Sequence, residues 1–323
     1  MAAAAPPLGA SGSKPPSTET GSRIGARSEA IAGYAFIAVP MGLFLILQIG
    51  MLIYAGWISI WDWDIRLGPQ NLIWFQNFQK ILTDPGFLNA LKNTTYYAVV
   101  WVPLTMAAGL FLAVVVNQKI RGQAFFRSSF YFPAIASSAA ITTLWLFLVA
   151  PSGLFNEIRG ALGLNPVFTL LNFAPNHDWA GNFRTAMNTI ILLNVWTTSG
   201  TFMLFYLASL QAIPTDVYEA AAIDGAGQWQ TFWRVTFPLL RPAHFFVATV
   251  AFIGAFQLFD QAFIVGGVDG APAGTTMTIV LYLYNAVFRQ INLDFAAAVG
   301  IVLFVIILAV TLVQRRLFPE PDW

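Results

Sequence analysis

Long apolar runs separated by short polar segments set the plan of this chain. A helix needs about 20 apolar residues to cross a bilayer core of about 30 Å. Six runs approach or exceed that length: residues 31–60, 95–116, 130–150, 185–210, 245–265 and 295–313. The pattern predicts an all-α membrane protein with about six transmembrane helices. The first run is too long for the apolar region of a signal peptide and no small-residue cleavage site follows it, so it reads as an uncleaved span. The segment from Trp61 to Lys92 is polar and aromatic, as suits a membrane interface. Residues 151–184 are rich in Asn, Pro and Gly and read as a long loop. Residues 276–290 are amphipathic, as for a segment dipping along the membrane edge. Residues 1–28, mostly Ala, Pro, Ser, Gly and Thr, are too polar to pack and are expected to form a disordered tail. Residues 319–323 form a short C-terminal tail, and the membrane domain covers 29–318.

The most polar internal segment, residues 211–242, lies between the fourth and fifth runs. Asp216, followed three residues later by Glu219, fits the aspartate form of a capping box and starts a short helix. Gly225 and Gly227 end it, because glycine reaches backbone angles that alanine resists. A second short helix over 228–237 places Trp229, Phe232 and Trp233 on one face, and Pro238 and Pro242 stop it. The first helix carries small side chains, Ala220 to Ala222, beside the acids Glu219 and Asp224. A helix this bare fits into a cleft of another protein. The plainer alternative is a helix lying on the membrane surface.

Glu219-Ala220-Ala221, three residues, Gly225, nine residues, then Val235-Thr236-Phe237-Pro238 resembles the EAA loop of permease subunits in binding-protein-dependent ABC importers. Val235 and Phe237 are near matches within that pattern. Similarity to the sugar-importer branch extends over most of the chain from about residue 31. It includes Gly122 to Pro133, Gly153-Leu154-Phe155-Asn156, Phe259-Asp260 and Tyr282-Leu283-Tyr284. The family's T-x-G-G-P stretch is altered here to Val265-Gly266-Gly267-Val268-Asp269-Gly270-Ala271-Pro272. The resemblance implies a coupling helix at Glu219, Ala220, Ala221, Asp224, Gly225 and Pro238 that docks on an ATP-hydrolysing subunit. It also implies a second permease subunit, two ATP-binding subunits and an extracytoplasmic substrate-binding protein.

Charge supplies an orientation. With six spans, the N-terminal tail, the loop around Lys119, Arg121 and Arg127, the Glu219 loop and the C-terminus share one side. That side holds 10 of the 16 Lys and Arg, which places it in the cytoplasm. The chain is 57% hydrophobic and 10% charged, outside the range of a soluble globular domain. Near-zero net charge gives no sign of nucleic-acid binding. Without cysteine, disulfides, thiolate metal sites and cysteine nucleophiles are excluded. His177 and His244 stand alone in different loops, as solvated or hydrogen-bonded side chains do, so no metal is expected. No G-x-x-x-x-G-K-[ST] motif occurs, so ATP and Mg²⁺ belong to partner chains and this chain is not itself an enzyme.

The fourth span is the most polar. Asn194, Thr197, Thr198 and Thr201 recur at helical spacing and make one stripe, flanked by Trp196, Phe202 and Tyr206. Such a stripe either glues helices together or lines a hydrophilic path whose aromatic rings stack on sugars. Asp260, an acid inside a span, belongs beside a cavity or a partner. The combined expectation is a multi-pass permease of a bacterial inner membrane, with both termini cytoplasmic, that translocates a sugar or related polyol. The alternatives are an importer of another small solute such as glycerol phosphate, and a secondary transporter that needs no ATPase.

Overall fold

The structure, a computed structural model, describes residues 23–118 and 122–317. The tail expected over residues 1–22, the charges Lys119 and Arg121, and residues 318–323 lie outside the described residues. The chain divides into two compact units, residues 1–54 and 55–323. In the first, α1 (Arg23–Phe44) passes through a π-helical turn (Leu45–Gly50) into α2 (Met51–Ser59). Residues 23–28, assigned above to the disordered tail, are therefore helical.

Among the described residues, six stretches are long and apolar enough to cross a membrane. They are Glu29–Ser59, Pro85–Asn117, Ser138–Ala161, Ala186–Ala212, Arg241–Gly266 and Leu293–Arg316. The protein is a mostly helical, multi-pass membrane protein. Its one departure from all-α is a hairpin, β1 (Trp61–Asp64) with β2 (Gly68–Leu72), among the described residues. The Asp64 carboxylate accepts the backbone N–H groups of Arg66 and Leu67 and so shapes the turn. α3 (Gln76–Thr83) follows, then α4 (Pro85–Asn117). α4 begins ten residues earlier than the hydropathy suggested, because Asp84 accepts the Phe87 N–H at 2.7 Å and Pro85 fits the first turn.

The apolar run expected over 130–150 is two helices, α5 (Gln123–Ile135) and α6 (Ser138–Val149), and the third membrane-length stretch joins α6 to α7 (Leu154–Ala161) instead. The 151–184 loop also holds α8 (Asn165–Leu170). The fourth span is unbroken α9 (Ala186–Ala212), within two residues of expectation at each end. It packs along α4, where Tyr97, Trp101, Phe202, Met203 and Tyr206 are buried. Gly200 lets the backbone of α5 approach α9 closely: a Cβ there would stand 2.1 Å from the Phe130 carbonyl oxygen.

The polar loop supplies α10 (Thr215–Ile223), α11 (Gln228–Thr231), a π turn (Phe232–Thr236) and α12 (Phe237–Leu239). The fifth span is broken into α13 (Arg241–Phe256) and α14 (Asp260–Gly266). The two breaks are linked, because Gln261 at the start of α14 donates to the Ser138 hydroxyl at the start of α6, at 3.0 Å. After α14 the chain is tied to α4, where Asn89 and Asn93 both donate to the Gly274 carbonyl. α15 (Ile279–Phe288) packs on α16 (Leu293–Leu317) and α4, so residues 276–290 hold a helix with one buried face.

Candidate functional site

α10 leaves the end of α9 through Pro214, its N-cap. The capping box does not form: the helix starts at Thr215, and no side chain caps it. Asp216 instead lies inside the first turn, where a negative charge suits the helix dipole. The other end forms as expected. Gly225 is left-handed with φ +76. Ala226 N–H reaches the Ala221 carbonyl at 3.0 Å and Gly225 N–H the Ala222 carbonyl at 3.1 Å, the pattern of a Schellman end. Glu219, Ala220, Asp224 and Gly225 are exposed, whereas Ala221 is buried against its own chain. Of the two alanines in the motif, only Ala220 is presented to a partner.

The second half of the loop does not stop at Pro238. Within the π turn, the Phe237 N–H bonds back to the Phe232 carbonyl. Pro238 then lies in the first turn of α12, where its missing N–H goes unneeded, and Pro242 likewise opens α13. Trp229 and Trp233 meet edge to face with centroids 5.7 Å apart, and both are exposed. From Trp233 the rings continue through Phe237 to His244. His244 Nδ1 hydrogen-bonds the Tyr206 hydroxyl at 3.0 Å. The two spans that flank the loop are joined there.

The stripe on α9 splits in two. Asn194 is buried and donates to the Tyr97 hydroxyl of α4 at 2.8 Å, and Tyr206 is buried against His244. These are helix-packing contacts. Thr197 bonds the Asn194 carbonyl of its own helix. Thr198 and Thr201 are half-buried, and no hydrogen-bond partner stands beside either hydroxyl among the described residues. Trp196 is exposed and stacks on Trp145 of α6 at 6.1 Å, 24° from parallel. Asp260 is exposed, at the break between α13 and α14. Tyr97, Trp145 and Gln261 escaped sequence reading, and His244, read as a lone loop histidine, lies instead on α13 and joins it to α9. The partner of Asn194 lies 97 positions away, and no local pattern signals such a pairing.

Outside the span, the 151–184 loop is built on a buried cation. Arg159 is 3% exposed and donates to Asn165 Oδ1 at 3.1 Å, to the Ala174 carbonyl at 2.8 Å and to the Pro175 carbonyl. Its guanidinium also lies over the rings of Phe168 and Trp179. His177 is buried beside it and pairs with the Thr185 hydroxyl at 3.2 Å. Burial, and then the nearby Arg159 charge, hold the His177 pKa below its ordinary value. Among the described residues no cluster of His, Asp and Glu could hold a metal.

The family described as "Binding-protein-dependent transport system inner membrane component" matches residues 105–321, a span that contains α5 to α16 and the whole Glu219 loop. The chain belongs to that family. Among curated relatives it is 30% identical over 291 residues to "Probable ABC transporter permease protein YurN" of Bacillus subtilis, covering 89% of this chain and 96% of the relative. It is 34% identical over 244 residues to "Arabinooligosaccharides transport system permease protein AraP" of Halalkalibacterium halodurans, covering 75% and 73% respectively. A solved structure described as a bacterial ABC transporter importing the acidic polysaccharide alginate has the same fold, with a TM-score of 0.76 at 20% identity over 92% of this chain and 98% of that one. The permease is thus one transport subunit of a binding-protein-dependent system. Its Glu219 loop follows the C-terminus of α9, and the polar stripe occupies the middle of the same helix.

Proposed function

We propose that the chain is the permease subunit of an ATP-driven importer that moves a neutral sugar into a bacterial cell. The observation that carries the reading is the E-A-A-x3-G pattern on a short exposed helix, α10, ended by left-handed Gly225. Glu219, Ala220, Asp224 and Gly225 are offered to a partner on that helix, with Pro238 shaping the return to the membrane. Two ATP-binding subunits hold the ATP and Mg²⁺, a second permease completes the pathway, and an extracytoplasmic binding protein delivers the solute. The excess of Lys and Arg in the loops on the α10 side supports a cytoplasmic α10 and cytoplasmic termini. Closure of the ATPases displaces α10. Because α9 and α13 leave the loop on either side, the displacement tilts the spans and exposes the path in alternation.

The path is best matched by Trp196, Thr198 and Thr201, with Trp145 beside them. Stacked indoles present flat apolar faces that suit a sugar ring, and the two hydroxyls are free to bond its hydroxyls. Residues 138–149, 186–212 and 242–266 hold no Lys or Arg. A phosphate would find no cation there, which favours a neutral sugar over glycerol phosphate. The relative whose name specifies arabinooligosaccharides agrees with that chemistry.

The test is Ala220→Leu in the assembled complex, with uptake and solute-stimulated ATP hydrolysis both measured. A coupling helix predicts loss of both, because a bulky side chain overpacks the docking cleft by roughly 1–3 kcal/mol. A membrane-surface helix predicts no loss, since leucine only adds apolar area. Near-normal values for both would refute the assignment. Uptake that persists without any ATPase subunit would instead favour a secondary transporter.

A further inference from the structure

Behind the coupling loop lies an open cleft of about 390 Å³ that neither the membrane path nor the exposed face of α10 accounts for. Its walls come from the ends of α4 and α9, from α10 and α11, and from the π turn. Its polar lining residues are Asn117, Gln118, Tyr218, Gln228, Thr231 and Thr236, and Phe232 adds an aromatic wall. No lining residue is charged.

Thr236 gives the cleft its character. It is only 6% exposed, yet its hydroxyl has no hydrogen-bond partner among the described residues. Helical threonines usually bond the carbonyl four residues back, as Thr142, Thr231 and Thr249 do here. Thr236, at the end of the π turn, makes no such bond. Thr236 lines the cleft, so its hydroxyl is available to a ligand there.

We infer that this cleft is a second binding site, facing the cytoplasm, for a neutral sugar of one or two rings. Neutral amides and hydroxyls match a polyol's alternating donors and acceptors, the Phe232 and Tyr218 rings suit the apolar face of a pyranose, and the lack of cations disfavours phosphorylated solutes. The ligand bridges Asn117 and Gln118 on α4 to Tyr218 and Gln228 on the loop, and so holds α10 against the span ends. Sugar accumulating inside the cell then slows the transporter from its product side. This regulatory step rests on the coupling role proposed for α10, whereas binding itself does not.

The sequence has no cysteine, so Ala226→Cys, on the cleft wall, reports occupancy through its alkylation rate in the assembled complex. Arabinobiose and lactose are expected to slow alkylation, and sn-glycerol 3-phosphate is not. Thr236→Val is expected to raise the protecting concentration about tenfold, the effect of one lost hydrogen bond, and Gln228→Ala should weaken protection independently. ATP hydrolysis should fall over the same sugar concentrations. Absence of protection, equal protection by glycerol phosphate, or protection indifferent to both substitutions would each overturn the site. So would a cysteine already shielded in the complex and free in the isolated chain, because an ATPase side chain would then fill the cleft. Protection with unchanged hydrolysis would overturn the regulatory role. Failure of the importer reading would appear separately, as no stimulation of hydrolysis by the loaded binding protein.

Discussion

Replacing Gly200 by alanine tests the closest helix crossing near the path. The added methyl would stand 2.1 Å from the Phe130 carbonyl oxygen and 2.9 Å from the Phe130 carbonyl carbon and the Tyr131 Cα. All three are backbone atoms, so no side chain can swing away, and α5 must withdraw from α9 by about 1 Å to reach ordinary contact. Overpacking of this kind costs roughly 1–3 kcal/mol, and a rigid backbone neighbour places Gly200→Ala toward the upper end. Helix propensity works in the opposite direction, since alanine is favoured over glycine by roughly 0.5–1 kcal/mol in a helix interior. Gly254, with nothing within 4 Å of its Cβ position, isolates that second effect. The assay is thermal denaturation of the detergent-solubilised protein. Gly200→Ala should lower the midpoint by roughly 2–10 °C, while Gly254→Ala leaves it level or slightly raised. Equal midpoints for the two variants would refute a close crossing at Gly200.

Three further outcomes are expected. Arg159→Leu strands the Ala174 and Pro175 carbonyls and should destabilise the 151–184 loop by about 3 kcal/mol or more, read as protease nicking within that loop while the spans stay intact. Because the folded pKa of His177 is depressed below 6.5, the unfolded loop binds the proton more readily. The stabilisation is therefore complete above pH 6.5 and is lost as pH falls below that value. The same nicking should accelerate on acidification, and an unchanged acid response in His177→Gln would count against this source. Asn194→Leu leaves the buried Tyr97 hydroxyl without its partner and should reduce assembled complex, by about 1 kcal/mol in stability. Thr198→Val should slow uptake at normal assembly, and equal assembly loss in both variants would remove Thr198 from the path.

Span four could be read to within two residues at each end and span six to within four, because an uninterrupted apolar run of bilayer length has few alternatives. The end of α10 was equally legible, since only glycine readily supplies the left-handed turn found at Gly225. The breaks in spans three and five were not. Hydropathy runs straight through Ala136-Ser137 and through Gln257-Leu258-Phe259, and neither site contains Gly or Pro. The long reach of α4 was hidden because its first turns are polar and are fixed by one aspartate. Within the candidate site, residue type announced the EAA helix but not its facing. Ala220 and Ala221 are identical as letters, and only the packed chain turns one outward and the other inward.

The break at Gln257–Phe259 makes the two supports of the Glu219 loop mechanically unequal. On one side α9 continues unbroken for 27 residues, a stiff rod of about 40 Å that begins just after the 151–184 loop and ends two residues from α10. On the other side α13 ends after 16 residues, and the chain bends before α14. A thrust applied to α10 travels the full depth of the membrane along α9, like force along a piston. Through α13 it reaches an elbow and is turned sideways, toward the Gln261–Ser138 link and the half-span α6. One push on α10 would therefore deliver a stroke at the far end of α9 and a swing at the break between α13 and α14.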